Sequence, residues 1–532
     1  MTRPRPFIYA ALICALLGAC SGDKKSEPPA STGVVVGISP LDTALDERVR
    51  AASVAATSET GVPLAFNEST SPGTPPTVSV GHDQPTGSFV EAPVRYWGAF
   101  TSFWSDRDQV DLDDPALVLY LPQEFQTALN QILGATAHAT LVWLPAAQVA
   151  ERAAADPSGV ALLPVELADL RLRSLSVGGV DFLRGIGSGG RMVETLKIGW
   201  LREDLESLAK ALQARLALPP PIVVRVAATG DIIPSRCVYD RHRRRNDFTA
   251  AFQPTGDFLR GADIAAGSLD ASISDAGEAT ACEQTLNLLS PARSVEGLAF
   301  AGLDVVTVAT NHVKDCGSTA VVCDRALLDT LTNLRNAGIA PVGGGENRAA
   351  ARQPVIIERR GVRFAFLGYD DVAGSLLGAG ENRPGTAAME SGTLAAEIAE
   401  AKRWADVVIV MAQWGAEYTS QPSSRQRALA REAVEAGAAL VVGNHPHVVQ
   451  ATEWRDGAFI AYALGNFVFD QDWSLETQQG AVLEASFVGA KLVGVRLIPV
   501  RIIDMFQPNW ASPAESHQIL ERMRAASAAL LP

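Results

Sequence analysis

The stretch "VVGNHPHVVQ" (residues 441–450) places two histidines one residue apart at the end of an apolar run. The whole chain of 532 residues has seven histidines, so this pair is a concentrated use of a rare residue. Imidazole is a common ligand of transition metals, and Pro446 stiffens the turn between His445 and His447. The pair therefore indicates two imidazoles that can be aimed at one metal ion.

Other polar side chains in the same half of the chain also follow short apolar runs. These runs predict strands at 222–228, 303–309, 362–369, 406–412, 438–443 and 458–464. The residues that follow them are Asp231 and Arg236; Asn311, His312 and Asp315; Gln413, Trp414 and Glu417; Asn444, His445 and His447; and Asn466 and Asp470. In open α/β sheets ligands bind at the carboxyl ends of the strands. An aspartate after a strand is more often a helix cap and a single loop histidine often has no ligand, but the combination indicates a metal site.

The spaces between these strands carry helical patterns that end at glycine. Residues 324–338 and 423–437 have amphipathic spacing, and the second segment begins with serines that suit a helix N-cap. Continuous apolar strands alternating with amphipathic helices predict an α/β sheet covered on both faces. "GGG" at 343–345 lacks the strand-then-helix context of a nucleotide loop and is interpreted as a turn.

The N-terminal half has strand and helix signals without a sharp motif. "ALVLYL" and "ATLVWL" indicate strands, while 124–133 and 202–217 have helical spacing. The Thr-, Ser-, Pro- and Gly-rich residues 56–87 predict a mobile or irregular surface segment. This half resembles the periplasmic solute-binding fold, and "PPP" at 219–221 marks a boundary.

Length and charge limit the classes of function. A chain of this length predicts two or three domains. A net charge of −14 argues against nucleic acid and anionic surfaces as general partners. The run "RHRRR" at 241–245 is the one dense basic segment, and it is either a solvated loop or a handle for a polyanion.

The first residues predict export. Arg3 and Arg5 precede an apolar run from Phe7 to Ala19, which is too short to span a bilayer and has the layout of a secretory signal. "LLGAC" resembles a bacterial lipoprotein cleavage box, so residues 1–20 are expected to be a lipoprotein signal with Cys20 lipidated. A plain signal peptide with a chance cysteine is the alternative. Residues 21–34 suit a polar tether, and Ser21 favours the outer membrane of a Gram-negative cell.

Four further cysteines remain beyond Cys14 and Cys20: Cys237, Cys282, Cys316 and Cys323. An even number in an exported protein suggests two disulfides with three possible connectivities. We favour Cys237–Cys282 and Cys316–Cys323. A zinc site is the rival interpretation, although the spacings match no zinc-finger pattern.

Residues 222–505 resemble the poly-γ-glutamate capsule synthesis protein family, CapA, whose fold is similar to that of calcineurin-like metallophosphoesterases. The resemblance runs through "GDIIPSR", "SLDASIS", "GLDVVTVATNHVKDCG", "QWGAEY", "GNHPHVVQ" and "LGNFVFD", in the order of the family. It implies a layered α/β metallophosphoesterase-like domain at 222–505. A smaller α/β solute-binding-like domain (35–218) would precede it, and a tail helix (506–532) would follow.

The resemblance also implies a ligand set for one or two divalent ions of manganese, iron or zinc. The implied ligands are Asp231, Asp270, Asn311, Gln413, His445 and His447. Two of these ligands, Asp270 and Gln413, and the neighbouring Ser268 depart from the family pattern. Asp270 and Ser268 stand where the family has Glu and Asn in "NLE", and Gln413 stands where it has His. A neutral glutamine oxygen is a poorer ligand for a transition metal than imidazole.

The remaining site residues receive expected roles. His312 would protonate a leaving group, and Arg236 would clamp an anionic group of the substrate unless it forms a surface salt bridge. Trp414, Glu417, Asn444 and Asn466 are expected to bind substrate.

Three functions follow as hypotheses. The first is an envelope-anchored, metal-dependent hydrolase or phosphoesterase in capsule or cell-surface polymer synthesis. Its partners would be an anionic polymer, envelope assembly proteins and, through the lipid anchor only, the membrane. The second is a non-catalytic polymer-binding or assembly protein with a degraded site, and the third is a solute-binding protein.

Overall fold

The computed structural model describes residues 34–39, 41–60, 64–68, 77–134, 140–317 and 323–530. The predicted signal segment, Cys20 and nearly all of the tether lie outside these residues. None of the helices in the described ranges combines the length and apolar character needed to cross a membrane.

The N-terminal unit is built on one mixed sheet. Its strands are β1 (Val34–Ile38), β2 (Leu64–Glu68), β3 (Val78–Gly81), β4 (Ser88–Ser102), β5 (Gln109–Val110), β6 (Val118–Pro122), β7 (Thr140–Leu144), β8 (Val160–Pro164), β9 (Leu172–Val177) and β10 (Val193–Trp200). Its helices are α1 (Thr43–Thr60), α2 (Gln126–Leu133), α3 (Ala146–Ala155) and α4 (Glu206–Leu216). The strand order is β2-β1-β3-β10-β4-β8-β6-β7, and β9 pairs with β4 and β5.

The C-terminal unit begins with a strand directly after the predicted boundary. Its strands are β11 (Val223–Ile232), β12 (Ile264–Leu269), β13 (Ser272–Ile273), β14 (Leu289–Ser290), β15 (Val305–Thr307), β16 (Ala340–Val342), β17 (Gly344–Gly345), β18 (Val355–Arg359), β19 (Val362–Asp370), β20 (Gly385–Thr386), β21 (Val407–Gln413), β22 (Leu440–Asn444), β23 (Thr452–Arg455), β24 (Ala458–Ala461), β25 (Asn466–Val468), β26 (Gln479–Val488), β27 (Lys491–Ile503) and β28 (Gln507–Trp510). Its helices are α5 (Arg236–Arg245), α6 (Gly256–Arg260), α7 (Val295–Ala301), α8 (Asp324–Asn336), α9 (Arg348–Ala351), α10 (Gly374–Leu377), α11 (Thr393–Ala401), α12 (Ser424–Ala436) and α13 (Pro513–Ala528). Short 3-10 helices lie at Gln123–Phe125, Val165–Leu167, Phe182–Arg184, Glu203–Leu205, Ala250–Phe252 and Ala292–Ser294.

Two sheets face each other in this unit. The first has the order β16-β15-β12-β11-β26-β27-β28, with β25 beside β11, and the second has the order β18-β19-β21-β22-β24-β23. Alternate residues of both sheets, such as Val226 and Phe366, form the apolar layer between them. Their opposite faces pack against helices, for example through Leu327 of α8 and Leu429 of α12. The result is a four-layer α/β/β/α arrangement, which confirms the layered α/β class.

The parallel strands of both sheets point their carboxyl ends to the same edge. β11, β12 and β15 pair in parallel in the first sheet, and β21 and β22 do so in the second. Helix α12 shows how sequence fixes such a crossover. Ser423 and Gln426 form a capping box at its start, and Gly437 ends it with a φ of 108°.

Two sequence-based predictions of the fold were wrong in part. Residues 506–532 were expected to form a tail helix, but Gln507–Trp510 form β28 beside β27, and α13 begins only at Pro513. Residues 56–87 were expected to be irregular, but they contain the end of α1 and the strands β2 and β3. β1 pairs in parallel with both strands. Residues 64–68 and 78–81 therefore form strands because their backbones pair with the apolar strand β1, although the composition of the segment is polar.

Candidate functional site

The carboxyl ends of four strands bring the predicted site residues together. Asp231 lies near the end of β11 and Asp270 follows β12, while Gln413 ends β21 and Asn444 ends β22. The backbone N–H of His445 donates to Asp231 Oδ2 over 3.1 Å. Because β11 and β22 belong to different sheets, the site is built across the gap between the two sheets.

The backbone at the site is strained. His445 (φ 97°), His447 (φ 59°), Tyr418 (φ 59°) and Arg236 (φ 52°) are non-glycine residues in the left-handed region. Such conformations cost on the order of 1–3 kcal/mol each and cluster where structure holds side chains for function. Tyr418 N–H donates to Pro446 O over 2.8 Å, so the loop after β21 braces the turn that carries the two histidines.

Two aspartates of the site are fully buried and have carboxylate oxygens without hydrogen-bond partners in the described structure. Asp231 Oδ1 and both carboxylate oxygens of Asp270 receive no hydrogen bond from any described residue. Burial raises the pKa of Asp270, the charge of nearby His312 opposes that rise, and Asp231 adds to it. Adjacent buried carboxylates require a positive charge or a shared proton. This demand is the strongest chemical feature of the site.

His447 is held in a defined tautomer. Its Nδ1 lies 2.9 Å from Asn466 Oδ1 and 3.5 Å from Asp231 Oδ2. Asn466 Nδ2 donates to Gln471 Oε1 over 3.1 Å and to Thr477 O over 2.9 Å. Since these two acceptors occupy the amide nitrogen, Asn466 turns its oxygen to His447, and Nδ1 carries the proton. Burial acts to lower the pKa of His447, but the hydrogen bond and charge of Asp231 raise it overall.

His445 is the neutral member of the pair. Its ring centre lies 5.9 Å from that of His447. Burial lowers the pKa of His445 to about 4. Its Nδ1 is buried and has no hydrogen-bond partner among the residues that the structure describes. A neutral imidazole with an unused nitrogen has the form that binds a metal ion.

His312 forms an oriented pair with Asp315. Its Nδ1 lies 2.7 Å from Asp315 Oδ2, which also accepts the Leu288 N–H over 2.7 Å. Burial alone would lower the pKa of His312, but Asp315 and Asp270 raise it to about 8. His312 is therefore protonated near neutral pH and can act as an acid. The sequence placed Asp315 three residues away but assigned it no role.

Two of the positions that depart from the family pattern contact each other. Ser268 Oγ donates to Gln413 Oε1 over 3.5 Å, and Gln413 Nε2 donates to Asn311 Oδ1 over 3.2 Å. The amide groups of Gln413 and Asn311 are therefore already occupied by hydrogen bonds within the protein. Both are predicted ligands, and these contacts weaken that prediction.

Arg236 does not form the predicted anion clamp. Its guanidinium pairs with buried Asp470 through Nε and Nη2, and Nη1 donates to Thr285 O over 2.8 Å. Asp470 also accepts the Cys237 N–H over 3.0 Å. The alternative of a surface salt bridge is also wrong, because Arg236 is only 5% exposed. The pair instead fixes the start of α5.

Trp414 and Asn466 are structural, contrary to prediction. Trp414 is fully buried, donates from Nε1 to Tyr462 O over 2.8 Å and stacks on the Tyr462 ring. Asn466 is also buried, and it orients His447. Neither side chain is available to a substrate.

Asn444 and Glu417 remain candidates for binding. Asn444 is 1% exposed, and neither of its amide atoms has a hydrogen-bond partner within the described ranges. Glu417 is exposed at the rim, with Oε1 4.0 Å from His447 Nε2. A cavity of about 430 Å³ adjoins this rim and is lined by Tyr418 and Trp473, whose ring centres are 6.0 Å apart. This cavity offers space for a substrate beside Glu417 and Tyr418.

Only one of the two expected disulfides is formed. Cys237 and Cys282 are bonded, whereas Cys316 and Cys323 keep their thiols. Burial and the hydrogen-bonded thiol of Cys323 raise the pKa of Cys316 to about 11. The two thiols are hydrogen-bonded to each other, so the prediction placed them correctly side by side but was wrong about the bond.

The fit of the site to a metal ion is partial. No three His, Cys, Asp or Glu side chains in the described part of the chain are arranged as a group that could hold a metal. The donor chemistry does fit a divalent cation, because Asp231, Asp270 and His445 are buried with unused oxygen and nitrogen atoms. The residues thus supply suitable ligands that would have to move closer together to bind an ion.

The fold and site define a layered α/β protein whose polar centre lies at the carboxyl ends of parallel strands from two sheets. Residues 225–471 match the family described as "Bacterial capsule synthesis protein PGA_cap". A matching relative is the PGA biosynthesis protein CapA of Bacillus subtilis strain 168, 32% identical over 49% of this chain and 67% of its own length. The chain therefore belongs to the bacterial capsule synthesis protein family that includes CapA.

Other relatives cover less of their own lengths. The capsule biosynthesis protein CapA of Bacillus anthracis is 33% identical over 48% of this chain and 62% of its own length. A probable polyglutamine synthesis accessory protein of Mycobacterium tuberculosis is 27% identical over 32% of this chain and 46% of its own length. The two CapA matches each involve about half of this chain.

Solved structures give weaker similarity. A hypothetical protein from Thermus thermophilus aligns with 53% of this chain and all of its own, at 16% identity and a TM-score of 0.35. The NAD nucleotidase of Haemophilus influenzae aligns with 57% of this chain and 56% of its own, at 12% identity and a TM-score of 0.32. TM-scores this low support no inference about activity.

Proposed function

We propose that this protein acts in the synthesis of an anionic cell-surface polymer of the poly-γ-glutamate type, as a metal-dependent hydrolase or phosphoesterase. Family membership supports the polymer class, since two relatives are named as PGA and capsule biosynthesis proteins. The single observation that carries the enzymatic part is the set of unpartnered oxygens on Asp231 and Asp270, which lie beside the imidazoles of the site within the described structure.

The proposed mechanism assigns roles to the residues of this site. Asp231, Asp270, His445 and His447 would hold a divalent ion of manganese, iron or zinc. Such an ion supplies Lewis acidity at a phosphoryl or carbonyl group. His312 keeps a proton at neutral pH and donates it to the leaving group, because Asp315 holds its ring through Nδ1 and leaves Nε2 as the donor.

The metal requirement can be tested with the purified full chain. We expect Mn²⁺ or Zn²⁺ to bind saturably in calorimetry and to raise the melting temperature. Asp231→Asn and Asp270→Asn should weaken this binding at least tenfold, because each removes a charged ligand. Asp370→Asn is the matched control. Asp370 is also a buried aspartate at a strand end, but its oxygens accept from Val372 N, Ala373 N and Thr386 Oγ1.

Catalysis is tested separately. Metal-loaded protein should hydrolyse p-nitrophenyl phosphate or shorten γ-linked polyglutamate, with turnover measured by absorbance or by gel filtration. His312→Gln should lower kcat/KM by roughly 100-fold or more, as expected when a general acid is removed. Asp315→Asn should give a smaller loss because it disturbs only the orientation of His312. Activity that is unchanged in His312→Gln would contradict the assigned role.

A specific observation favours a second function, that of a non-catalytic polymer-binding protein. Gln413 is tied to Ser268 and Asn311. In addition, no three His, Cys, Asp or Glu side chains in the described part of the molecule are arranged as a metal-binding group. In that case polyglutamate would bind equally well with EDTA and after Asp231→Asn. Absence of metal binding together with retained polymer binding would select this function.

We also propose that the protein is exported and anchored at the cell envelope through lipid on Cys20. The family's link to capsule synthesis and the lipoprotein-like "LLGAC" sequence support this location. Cells expressing the full chain should incorporate labelled palmitate into the protein. Cys20→Ser should abolish labelling and release the protein from the membrane fraction, and a labelled Cys20→Ser variant would refute the assignment.

A further inference from the structure

A cavity of about 620 Å³ lies far from the site described above, at the junction of the N-terminal and C-terminal units. Arg225, close behind it, lies near the start of β11, six positions before Asp231. At about 3.3 Å per strand residue, that places the two regions roughly 20 Å apart. The cavity has the volume of a small-molecule site. It is therefore a separate candidate.

The cavity is basic in an acidic protein. Its charged lining residues are Arg107, Arg173, Arg184 and Arg496 against Asp106 and Asp108, a net charge of +2. The whole chain has a net charge of −14. Its lining also includes the apolar side chains of Phe258, Leu497, Trp510 and Leu520. A lining that combines arginines with apolar side chains suits an organic anion.

Two of the arginines are buried at the base of the cavity. Arg173 and Arg496 are 4% and 7% exposed. Arg173 bonds to Ser105 O and Asp108, and Arg496 bonds to Asp108 and, over 3.2 Å, to Glu484 Oε2. The Nε atoms of both guanidiniums have no hydrogen-bond partner among the described residues. Burial, followed by the charge of Arg496, lowers the pKa of Arg173 to about 10. Each of the two guanidiniums therefore retains one hydrogen-bond donor without a protein partner in the described structure.

Asp108 occupies the place that a ligand carboxylate would take. One of its oxygens bonds to both Arg173 and Arg496, yet 64% of its side chain is exposed to solvent. Glu484 differs, because its side chain is 1% exposed and accepts from Arg184 and Arg225, each over 3.1 Å, as well as from Arg496. Glu484 holds the units together from inside, whereas Asp108 is a loop carboxylate that can be displaced.

We propose that this cavity binds a small organic carboxylate with an apolar or aromatic body. The ligand carboxylate replaces that of Asp108 between Arg173 and Arg496, because planar carboxylates match guanidinium groups. The apolar body lies against the side chains of Trp510 and Leu520. This site is independent of the proposed catalytic centre.

Calorimetry on the full chain tests the proposal with phenylacetate as the probe and 2-phenylethanol as its neutral counterpart. We expect saturable binding of phenylacetate and none of the alcohol. Inorganic phosphate should bind more weakly than phenylacetate because it has no apolar body. Asp108→Asn should bind phenylacetate about tenfold more tightly, since both guanidiniums lose their charged competitor. Arg496→Gln should weaken binding at least tenfold.

The controls separate this site from the catalytic centre. Asp231→Asn should leave phenylacetate binding unchanged, whereas loss of binding in that variant would place the ligand at the catalytic centre and overturn the proposal. Absence of binding to both the wild type and Asp108→Asn, or equal binding of the alcohol, would also overturn it. Because Asp108 is exposed, its variant is expected to fold even if Arg496→Gln does not.

Discussion

At the scale of single residues, the site is marked by buried carboxylates that lack hydrogen-bond partners in the described structure. Asp370 and Asp270 both follow or end strands and both are buried. Asp370 accepts three hydrogen bonds, whereas Asp270 accepts none from the described residues. Burial therefore does not distinguish them, but the missing partners do, because an unpaired buried charge costs several kcal/mol.

Gln413→His should restore a metal ligand. Imidazole binds zinc far better than a neutral amide oxygen does, and the change also breaks the Gln413 contact to Asn311. We expect at least tenfold tighter Zn²⁺ binding by calorimetry, with Gln413→Asn as the matched variant that offers only an amide. Equal affinities in Gln413→His and the wild type would show that another departure limits the site.

His242→Leu should make the free energy of unfolding less sensitive to acid. The ring is packed near Phe248 and Phe506, and neither nitrogen has a hydrogen-bond partner within the described structure. Burial lowers the pKa of His242 to about 4, below the unfolded value near 6.5. Its contribution is therefore fully present above pH 6.5 and is lost as the pH falls towards 4, by up to about 3 kcal/mol.

Urea unfolding of the His242→Leu variant between pH 7 and pH 4 measures this effect. The gain in stability over the wild type should grow as the pH falls. His517→Leu, at an exposed position, should show no such growth. A pH-independent difference at His242 would contradict the burial argument.

At the scale of elements, α5 is fixed at its start by two long-range links. Arg236 pairs with Asp470, and Cys237 is bonded to Cys282. These links position the helix that follows the strand end carrying Asp231. The disulfide spans 45 positions, so it constrains a long segment of the unfolded chain.

Cys282→Ser should therefore lower the free energy of unfolding by about 4 kcal/mol in the loop-closure model. Guanidinium unfolding in non-reducing buffer measures this loss. Cys323→Ser is the matched control, because Cys323 forms no disulfide in the described structure. A loss of similar size in both variants would show that the effect does not come from the disulfide.

Sequence patterns predicted the strands well where apolar runs end at glycine or polar residues, as at β21 and β22. They also predicted which loops would converge, since parallel strands share a carboxyl edge. They missed β2 and β3 because their stability comes from pairing with β1. They could not show that Asp470, 234 positions away, would form an ion pair with Arg236. Nor could they show that Trp414 would be buried with its Nε1 hydrogen-bonded to Tyr462 O. Such facts depend on three-dimensional packing.

At the scale of the whole molecule, Glu484 joins the two units. Arg184 of the N-terminal unit and Arg225 and Arg496 of the C-terminal unit all pair with this buried carboxylate. Removing one member of a buried charge network leaves the others uncompensated. Glu484 is therefore the buried centre of an arginine network that crosses the junction, beside the Arg496–Asp108 pair and the apolar packing of Val493.

Glu484→Gln should lower the free energy of unfolding by about 3–5 kcal/mol, measured by urea denaturation. Glu400→Gln removes a carboxylate from the exposed pair with Arg403 and should change the stability far less, because solvent screens exposed ion pairs. A small effect at Glu484 would mean that water or a neighbouring acid replaces it at the junction.

Asp231 and Asp270 lie at the ends of strands of one sheet, and His445 and His447 follow a strand of the other. The thickness of the apolar layer between the sheets therefore sets the distance between the aspartates and the histidines. Phe364 and Phe487 meet across that layer with ring centres 5.3 Å apart. Truncating either phenylalanine should change the spacing of the two sheets. Metal affinity should change with it, although no residue proposed to contact the metal is altered. The packing of this interior would therefore set the spacing of the proposed ligands.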